Sequence, residues 1–410
     1  MLALTNCKLI DGTGGPPLTA ATVLVNAQGR IETVGRREAV TLPPDCQVID
    51  ITGQTLLPGL IDCHDHLTSF GYDLMGRWGR AEPRSTRALR VAQVMDETLL
   101  SGYTAIRDCD WLDIGYKQAV EQGLISGPRL HLATSPLSPI QGTQDRSSPS
   151  GHHQPASPDP NLPRGIADGV ENVRAMVREV VRVGADFIKF FNTGFGRKTQ
   201  SGTTRSYTPE EANALVDEAH IHGKKVACHA IGGPGLRTAV EAGVDSIEHG
   251  CLLGLEPDLL KMMADRDIYL VPTFTVFTFH AVHGNPHAQA EAGEFRQQHI
   301  DTVQQALSAG VKVVAGTDAG GWEHGNNAKE LELLVEAGMT RMQALVAATG
   351  WAAGCLGMED RIGTIESGKL ADLIVVDGDP LAGVALLQDK ERIRLVMKEG
   401  QVYLDRISSG

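Results

Sequence analysis

The stretch LPGLIDCHDHL, residues 57–67, places two histidines one residue apart at the end of an apolar run. The run has the length of a buried strand, and alternate residues of a strand share a face. His64 and His66 therefore point the same way, and Asp65 points the opposite way. An H-x-H pair at a strand end is compatible with a metal site and equally compatible with two buried histidines in structural hydrogen bonds. The rest of the chain decides between these interpretations.

Composition narrows the classes of protein to consider. The chain has 410 residues, of which 42% are apolar and 21% charged, an ordinary balance for a globular protein with a large core. The formal net charge of −13 argues against nucleic acid or an anionic membrane as the main partner. Seven scattered cysteines without a C-x-x-C pair favour reduced thiols. Since no signal peptide or membrane-spanning run is recognisable, we expect a cytoplasmic protein.

Apolar runs alternate with helical patterns through the middle of the chain. The strand candidates are LPGLIDCH, TAIRD, RLHLAT, DFIKFF, KVACHA, SIEHG, YLVPTF and KVVAGTD. Between two of them, TPEEANALVDEAHIHG predicts a helix with Thr208 as N-cap, Glu211 in capping-box position and Gly223 as its stop. Eight strands alternating with helices predict an α/β fold, a (β/α)8 TIM barrel, with a doubly wound open sheet as the structural alternative.

Both chain ends differ from the middle. Residues 1–56 contain short strand patterns separated by turn signals, and so do ADLIVVDGDP and RIRLVMKEGQVYL near the C-terminus. We predict a small β-sandwich domain formed from residues 1–56 and 358–410, beside a barrel of residues 57–357. The Pro- and Ser-rich stretch 135–163 is long for a loop in a compact domain, so we expect it to be functional or mobile.

Further residues of metal-ligating types stand at the ends of other predicted strands. KVACHA contains His229, SIEHG contains His249, and KVVAGTD ends at Asp318. Barrel enzymes build their active sites at the carboxyl ends of the strands, so these side chains are expected to meet His64 and His66. Nitrogen and carboxylate ligands suit zinc or a similar divalent ion. Because burying five such groups without a metal would cost desolvation energy, the sequence favours a metal site.

The combination of DCHDHL after LPGL, single strand-end histidines and GTDAG resembles the amidohydrolase superfamily of metal-dependent hydrolases. The segment ESGKLADLIVVDGDPL is also typical of that superfamily, and the resemblance covers nearly the whole chain. The most similar branch is imidazolonepropionase-like and Xaa-Pro dipeptidase-like, and it includes amidases acting on N-acyl amino acids such as ochratoxin. The resemblance implies a hydrolase that cleaves an amide bond in a small-molecule substrate, a dipeptide or an N-acyl or aryl-acyl amino acid. It also implies a homo-oligomer.

The resemblance further implies ligands for two divalent ions, which we expect to be zinc. The more buried ion would be bound by His64, His66 and Asp318, the second ion by His229 and His249, and both ions by Lys189 of DFIKFF. An ammonium group cannot bind a cation, but carbamylated Lys189 carries a carboxylate with two oxygens. A buried lysine paired with an acid is the alternative. In such a site a metal-bridged hydroxide attacks the amide, while Asp318 acts as the proton shuttle.

Substrate contacts are also suggested by the resemblance. Either His152 or His153 would contact the substrate carbonyl as part of the catalytic machinery. This chain has GHH in the long loop where relatives have G-G-H-G, and an exposed histidine pair is the alternative. Tyr207 resembles a residue that contacts a substrate carboxylate. Phe191 and Phe195 of FIKFFNTGF would line an apolar substrate wall, or belong to the core.

Two other functions are weighed against amide hydrolysis. A cyclic-amide (ring-opening) hydrolase or a deaminase would share the superfamily, but deaminases of this kind usually lack the bridging lysine that Lys189 supplies. A non-catalytic structural relative would have lost metal ligands, whereas all the ligand positions are filled here.

Overall fold

The computed structural model describes residues 1–69, 83–145, 147, 150, 159–195 and 201–407. Its strands are β1 (Leu2–Leu9), β2 (Leu18–Val25), β3 (Ile31–Arg36), β4 (Gln47–Asp50), β5 (Gln54–Pro58), β6 (Leu60–Asp65), β7 (Tyr103–Asp108), β8 (Arg129–Leu132), β9 (Ile188–Phe191), β10 (Val226–Ala230), β11 (Ser246–His249), β12 (Tyr269–Val271), β13 (Leu373–Asp377), β14 (Ile393–Lys398) and β15 (Gln401–Asp405). Its α-helices are α1 (Arg84–Leu100), α2 (Ile114–Glu121), α3 (Val170–Arg182), α4 (Pro209–Ile221), α5 (Gly233–Ala242), α6 (Pro257–Asp265), α7 (Phe274–His283), α8 (Pro286–Ala309), α9 (Lys329–Glu336), α10 (Arg341–Ala347) and α11 (Gly350–Leu356). Within these ranges, no helix combines the length and apolar character needed to cross a bilayer.

Strands from both chain ends form one eight-stranded sheet. Its order is β15-β14-β13-β5-β1-β2-β3, and β4 also pairs with β1. The antiparallel pair β5–β13 places Leu56 opposite Val375 and so joins the N-terminal strands to the C-terminal ones. Leu4, Val23 and Leu395 share a buried core with these two residues. The two chain ends therefore share one sheet with its own buried core.

The middle of the chain consists of parallel strands and helices. One parallel sheet contains β6, β7 and β8, and another contains β9, β10, β11 and β12. Isolated parallel bridges continue these sheets, joining Leu137 to Phe190, Leu270 to Val313 and Asp65 to Ala319. The described middle is thus a parallel α/β structure, as the alternating pattern predicted.

The predicted eighth strand, KVVAGTD, is not a regular strand. It has one isolated bridge, from Val313 to Leu270 of β12, and Ala319 just beyond it has another, to Asp65 of β6. The amides of Thr317 and Asp318 both donate to the carbonyl of His64, at 3.1 and 2.7 Å. Two donors on one acceptor interrupt the even spacing of a parallel ladder, so the expectation of a full strand here is wrong.

Helix α4 begins as its sequence predicts. The hydroxyl of Thr208 accepts from the Glu211 amide at 3.3 Å, and the Glu211 carboxylate accepts from the Thr208 amide at 2.9 Å. Gly223, just beyond the helix, has a φ of 65°. This capping box is confirmed, and it was predictable because capping depends only on neighbouring residues.

The parallel strands have two buried faces with different roles. Ile188, Phe190 and Ile247 belong to the large core that also contains residues of the flanking helices. Alternate residues point to the opposite face, so Lys189 and Glu248 face away from that core. This second face, at the carboxyl ends of the strands, carries the polar residues described below.

Gly316, in the GTDAG segment, generates the first prediction. A Cβ added there would lie 2.4 Å from Val271 Cγ1 and 2.9 Å from His64 Cβ. We predict that Gly316→Ala lowers the free energy of unfolding by about 1–3 kcal/mol, the usual cost of overpacking, measured by urea denaturation. Gly293→Ala in α8 is the control, because a Cβ there meets no atom within 4 Å outside its own helix backbone. Unchanged stability of Gly316→Ala would contradict the prediction.

Candidate metal centre

The structure brings the six predicted metal ligands together at the carboxyl ends of the parallel strands. They are His64 in β6, His66 just after it, Lys189 in β9, His229 in β10, His249 at the end of β11, and Asp318. Asp318 Oδ1 lies 2.8 Å from His66 Nε2 and 3.9 Å from His64 Nε2. The ring centroids of His229 and His249 are 4.5 Å apart, and those of His64 and His249 are 5.1 Å apart. Ligand atoms of His64, His249 and Asp318 all lie within 4.8 Å of one another.

Two of these residues have left-handed backbone conformations. The φ angle is 72° at His249 and 54° at Asp318. In β11, Ile247 packs into the outer core while Glu248 contacts His64, so regular alternation would turn His249 outward. The left-handed conformation turns the His249 ring back toward His64. Non-glycine residues rarely adopt it, and such strain clusters at functional sites.

Three of the four histidines of the cluster are in the protonation state that metal binding requires. Burial would lower the pKa of the fourth, His66, but the neighbouring Asp318 outweighs burial and that pKa is raised. Burial and the charge of Lys189 lower the pKa of His64 to about 4 and that of His229 to about 3, and burial holds the pKa of His249 well below its ordinary value. Near pH 7 these imidazoles are neutral and can offer a lone pair. Burial would raise the pKa of Asp318, but the neighbouring His66 outweighs it and holds that pKa well below its ordinary value. Asp318 is therefore a carboxylate.

Unsatisfied polar atoms in the cluster also fit a metal site. Lys189 is fully buried, and its Nζ has no hydrogen-bond partner among the described residues. The buried Nε2 of His229 is likewise without a partner in the part of the chain that the structure describes. Burying such atoms is costly unless a ligand satisfies them. Imidazoles, a carboxylate and a lysine that can be carbamylated together form a donor set suited to divalent ions.

Sequence patterns alone do not reveal a charged network beside His64. Glu248 Oε2 lies 2.7 Å from His64 Nδ1, and Oε1 accepts from Arg107 Nη2 at 2.7 Å and from Ser246 Oγ at 2.5 Å. Burial would raise the pKa of Glu248, but Arg107 and His64 outweigh burial and keep this pKa lowered. The available signal was a charged residue inside each of two apolar runs, SIEHG and TAIRD.

A second hydrogen-bonded group orients His249. Its Nδ1 lies 2.8 Å from the hydroxyl of Thr273, whose φ of 55° is also left-handed. Glu330 accepts from the amides of Phe274 and Thr275, both at 2.8 Å, and so anchors the turn that carries Thr273. The sequence offers no local signal for this contact, because Glu330 is distant along the chain.

Aromatic side chains border the metal cluster on one side. Phe191 lies with its ring 5.1 Å from that of His229, and Phe277 lies 5.6 Å from His249. Phe195 contacts Phe277, with centroids 5.0 Å apart. We call Phe191, Phe195 and Phe277 the aromatic patch. Of the two phenylalanines predicted from the sequence, the structure thus places Phe191 beside the cluster and Phe195 against Phe277.

Tyr207, a further predicted substrate residue, is not brought to the cluster. Tyr207 is fully buried in the outer core, with its ring 6.1 Å from that of Phe190, and its described contacts include none of the six ligands. Its hydroxyl has no hydrogen-bond partner in the described part of the chain. His152 and His153 lie outside the described residues. Their roles and that of Tyr207 stay predictions.

Comparison with known proteins agrees with this geometry. The model of the amidohydrolase family matches residues 55–403. The chain belongs to this family. Ochratoxinase from Aspergillus niger is 30% identical over 367 residues, covering 85% of this chain and 75% of its own length. Imidazolonepropionase from Sphingopyxis alaskensis is 26% identical over 377 residues, covering 81% of each chain.

Solved structures of amidohydrolases share the whole architecture. A prolidase complexed with N-methylphosphonate-L-proline is 31% identical, with a TM-score of 0.89, and the match covers 98% of this chain and 99% of that one. The crystal structure of A. niger ochratoxinase is 27% identical, with a TM-score of 0.87, and covers 98% and 95% of the two chains. These relatives confirm the predicted superfamily branch and a TIM-barrel-type α/β fold with a separate domain. This amidohydrolase is a hydrolytic enzyme.

The orphaned ammonium of Lys189 generates the second prediction. Lys189→Met keeps the length of the side chain and removes the polar atom, so the metal-free protein should gain about 1–3 kcal/mol in unfolding free energy. The same variant should lose bound metal and activity, because a thioether cannot form a carbamate. Urea denaturation without metal and elemental analysis measure the two effects.

Lys117→Met is the matched control for this substitution. The Lys117 ammonium lies 2.7 and 2.9 Å from the two carboxylate oxygens of Asp186, so its loss should lower stability and leave metal content unchanged. A metal-free Lys189→Met protein that is less stable than its parent would contradict the prediction.

Proposed function

We propose that this amidohydrolase cleaves an amide bond whose leaving amine is an amino acid, in a dipeptide or an N-acyl or aryl-acyl amino acid. The observation that carries the proposal is the convergence of four neutral or paired histidines, an ionised Asp318 and an orphaned Lys189 at one strand edge. The prolidase and ochratoxinase relatives support it, because their names describe cleavage of such substrates.

The donor set supports two divalent ions, proposed to be zinc. His64, His66 and Asp318 would hold the more buried ion, His229 and His249 the second, and the carbamate of Lys189 both. When bound, such ions lower the pKa of a water molecule and polarise the scissile carbonyl. The chain itself contributes neutral imidazoles, a site that burial shields from bulk water, and a carboxylate of defined orientation.

Asp318 is proposed to move the proton. Its Oδ1 lies 2.8 Å from His66 Nε2, and its amide donates to the carbonyl of His64 at 2.7 Å, so its backbone position is fixed beside the histidines. An ionised carboxylate can accept a proton from the attacking water and deliver it to the leaving amine. This assigns the acid–base role to one residue of the chain.

The aromatic patch supports an apolar group on the substrate. The ring of Phe191 contacts that of His229, and the ring of Phe277 contacts that of His249. The ring of Phe195 contacts that of Phe277. His280 extends the patch, with its ring 5.1 Å from that of Phe195. An aliphatic or aromatic side chain next to the scissile amide would bury apolar area there.

Several finer features extend beyond the comparisons and stay predictions. The three isolated bridges support closure of eight parallel segments into one barrel. The sequence alone supports the division into residues 1–56, 57–357 and 358–410, the β-sandwich form of the end domain and a cytoplasmic location. The family resemblance supports a homo-oligomer. Carbamylation of Lys189 is proposed on its burial.

Asp318→Asn should lower kcat about 10²–10⁴-fold with KM changed only a few-fold, because the amide cannot accept a proton while substrate contacts survive. Steady-state kinetics of the metal-loaded protein measure both constants. Asp186→Asn is the control, a carboxylate paired with Lys117 away from the cluster. A loss of kcat below tenfold, with metal content unchanged, would remove Asp318 from the proton-transfer role.

The substrate proposal is tested with paired compounds. N-acetylphenylalanine and an Xaa-Pro dipeptide should be cleaved with kcat/KM at least about tenfold higher than their C-terminal amides, because a hydrogen bond to a charged carboxylate is lost in the amides. Equal values would exclude a carboxylate contact. Cleavage of a cyclic amide but of neither linear substrate would favour the ring-opening alternative.

A further inference from the structure

The side chain of His64 is held by a carboxylate that belongs to no predicted ligand set. Glu248 Oε2 is 2.7 Å from His64 Nδ1, and the Nε2 on the opposite side of the ring faces Asp318. The other carboxylate oxygen already accepts from Arg107 and Ser246, at 2.7 and 2.5 Å. Glu248 is therefore surrounded by donors and acts as an acceptor.

An acceptor at Nδ1 determines which tautomer His64 adopts. A carboxylate can only accept, so the proton of the neutral imidazole must be on Nδ1, and Nε2 keeps its lone pair. Only an unprotonated Nε2 can bind a metal ion. A carboxylate in this place also limits rotation of the ring, because Glu248 is itself held by two further groups.

We propose that Glu248 is a positioning residue that fixes the tautomer and orientation of His64 for the metal centre, with Arg107 and Ser246 holding the Glu248 carboxylate in place. The inference rests on the metal centre proposed above. Among the described residues, the Nδ1 of His249 has the Thr273 hydroxyl 2.8 Å away in place of a carboxylate, so the two histidines differ in how strongly their tautomer is set. Partners of this kind typically contribute 10–100-fold in metal affinity.

A purely structural role for the ion pair is the competing explanation. Glu248 and Arg107 are both buried, and removing one partner of a buried pair leaves an uncompensated charge that is strongly destabilising. Replacing both partners by apolar residues of similar size is often neutral. The two explanations therefore differ in what the double replacement does to zinc binding.

The first test uses Glu248→Gln. Arg107 and Ser246 would still donate to the amide oxygen of the glutamine, so its NH2 group would face His64 Nδ1. A donor at Nδ1 favours the His64 tautomer with the proton on Nε2. We expect zinc affinity, titrated with Zn²⁺ alone against a chromophoric chelator, to fall about 10–100-fold. Nitrogen-15 histidine spectra of the metal-free proteins should show one imidazole changing from the Nδ1–H to the Nε2–H form.

The second variant, Arg107→Met combined with Glu248→Leu, removes both charges and keeps the test informative if Glu248→Gln does not fold. It should unfold near the Tm of its parent, yet zinc affinity should still fall about 10–100-fold, because His64 has lost its acceptor. Glu218→Gln is the matched control. Glu218 is a buried glutamate on α4 that pairs with Arg174 and Arg178 of α3, so this variant should lose stability without losing zinc affinity.

The outcomes separate this inference from the proposed function. If the parent binds zinc and each folded variant binds zinc with an affinity within threefold of the parent's, the positioning role is overturned. The metal centre itself would then stand. A parent that takes up no zinc would overturn the metal centre itself, and the inference with it.

Discussion

The backbone of His64 is hydrogen-bonded on both sides, and the candidate site depends on this arrangement. Its amide donates to Asp62 at 2.9 Å, and its carbonyl accepts from Thr317 and Asp318. One candidate ligand, Asp318, is thus positioned by the main chain of another, His64. The same bonds connect β6 to the segment that returns beside it, so the fold and the metal centre share their hydrogen bonds. Displacing His64 would disturb both together.

Burial of charge is the cost of this arrangement. Burial raises the pKa of Asp62 and Asp108 to about 6 and that of Glu330 to about 8, although each of them accepts several hydrogen bonds. Asp62, for example, accepts from Thr317 Oγ1 at 2.6 Å and from Asn327 Nδ2 at 2.7 Å. The bonds offset only part of the desolvation. Perturbed carboxyls gathered at one strand edge are typical of active sites, and the apolar core on the outer face supplies the compensating stability.

The candidate metal ligands and the proposed substrate surface have different structural origins. The ligands lie in or just beyond the parallel strands, which makes their positions a property of the shared fold. The aromatic patch comes from the last residue of β9, from the chain just after it and from α7. The chain after β9 and α7 are connections, which vary more freely between relatives. Family membership therefore defines the chemistry of hydrolysis more closely than it defines the substrate.

The sequence by itself determined the elements whose causes are local. Strand periodicity aligned His64 with His66, and Thr208 and Glu211 marked the start of α4, because alternation and capping involve only neighbouring residues. The strand-end positions of His229 and Asp318 followed from the order of the apolar runs. These features, with the family resemblance, were sufficient to predict the ligand cluster and the β domain shared by the chain ends.

Only the tertiary structure decided how the ligands are held. Regular alternation would turn His249 away from His64, and its left-handed backbone, which no local pattern signals, reverses that direction. The pairing of Glu248 with His64 and Arg107 joins three different strands. The eighth predicted strand is irregular because the amides of Thr317 and Asp318 share the carbonyl of His64, which is distant in the chain. The Glu248 pairing and the shared carbonyl link residues far apart in the chain. The free energy of such contacts depends on burial and geometry that exist only after folding.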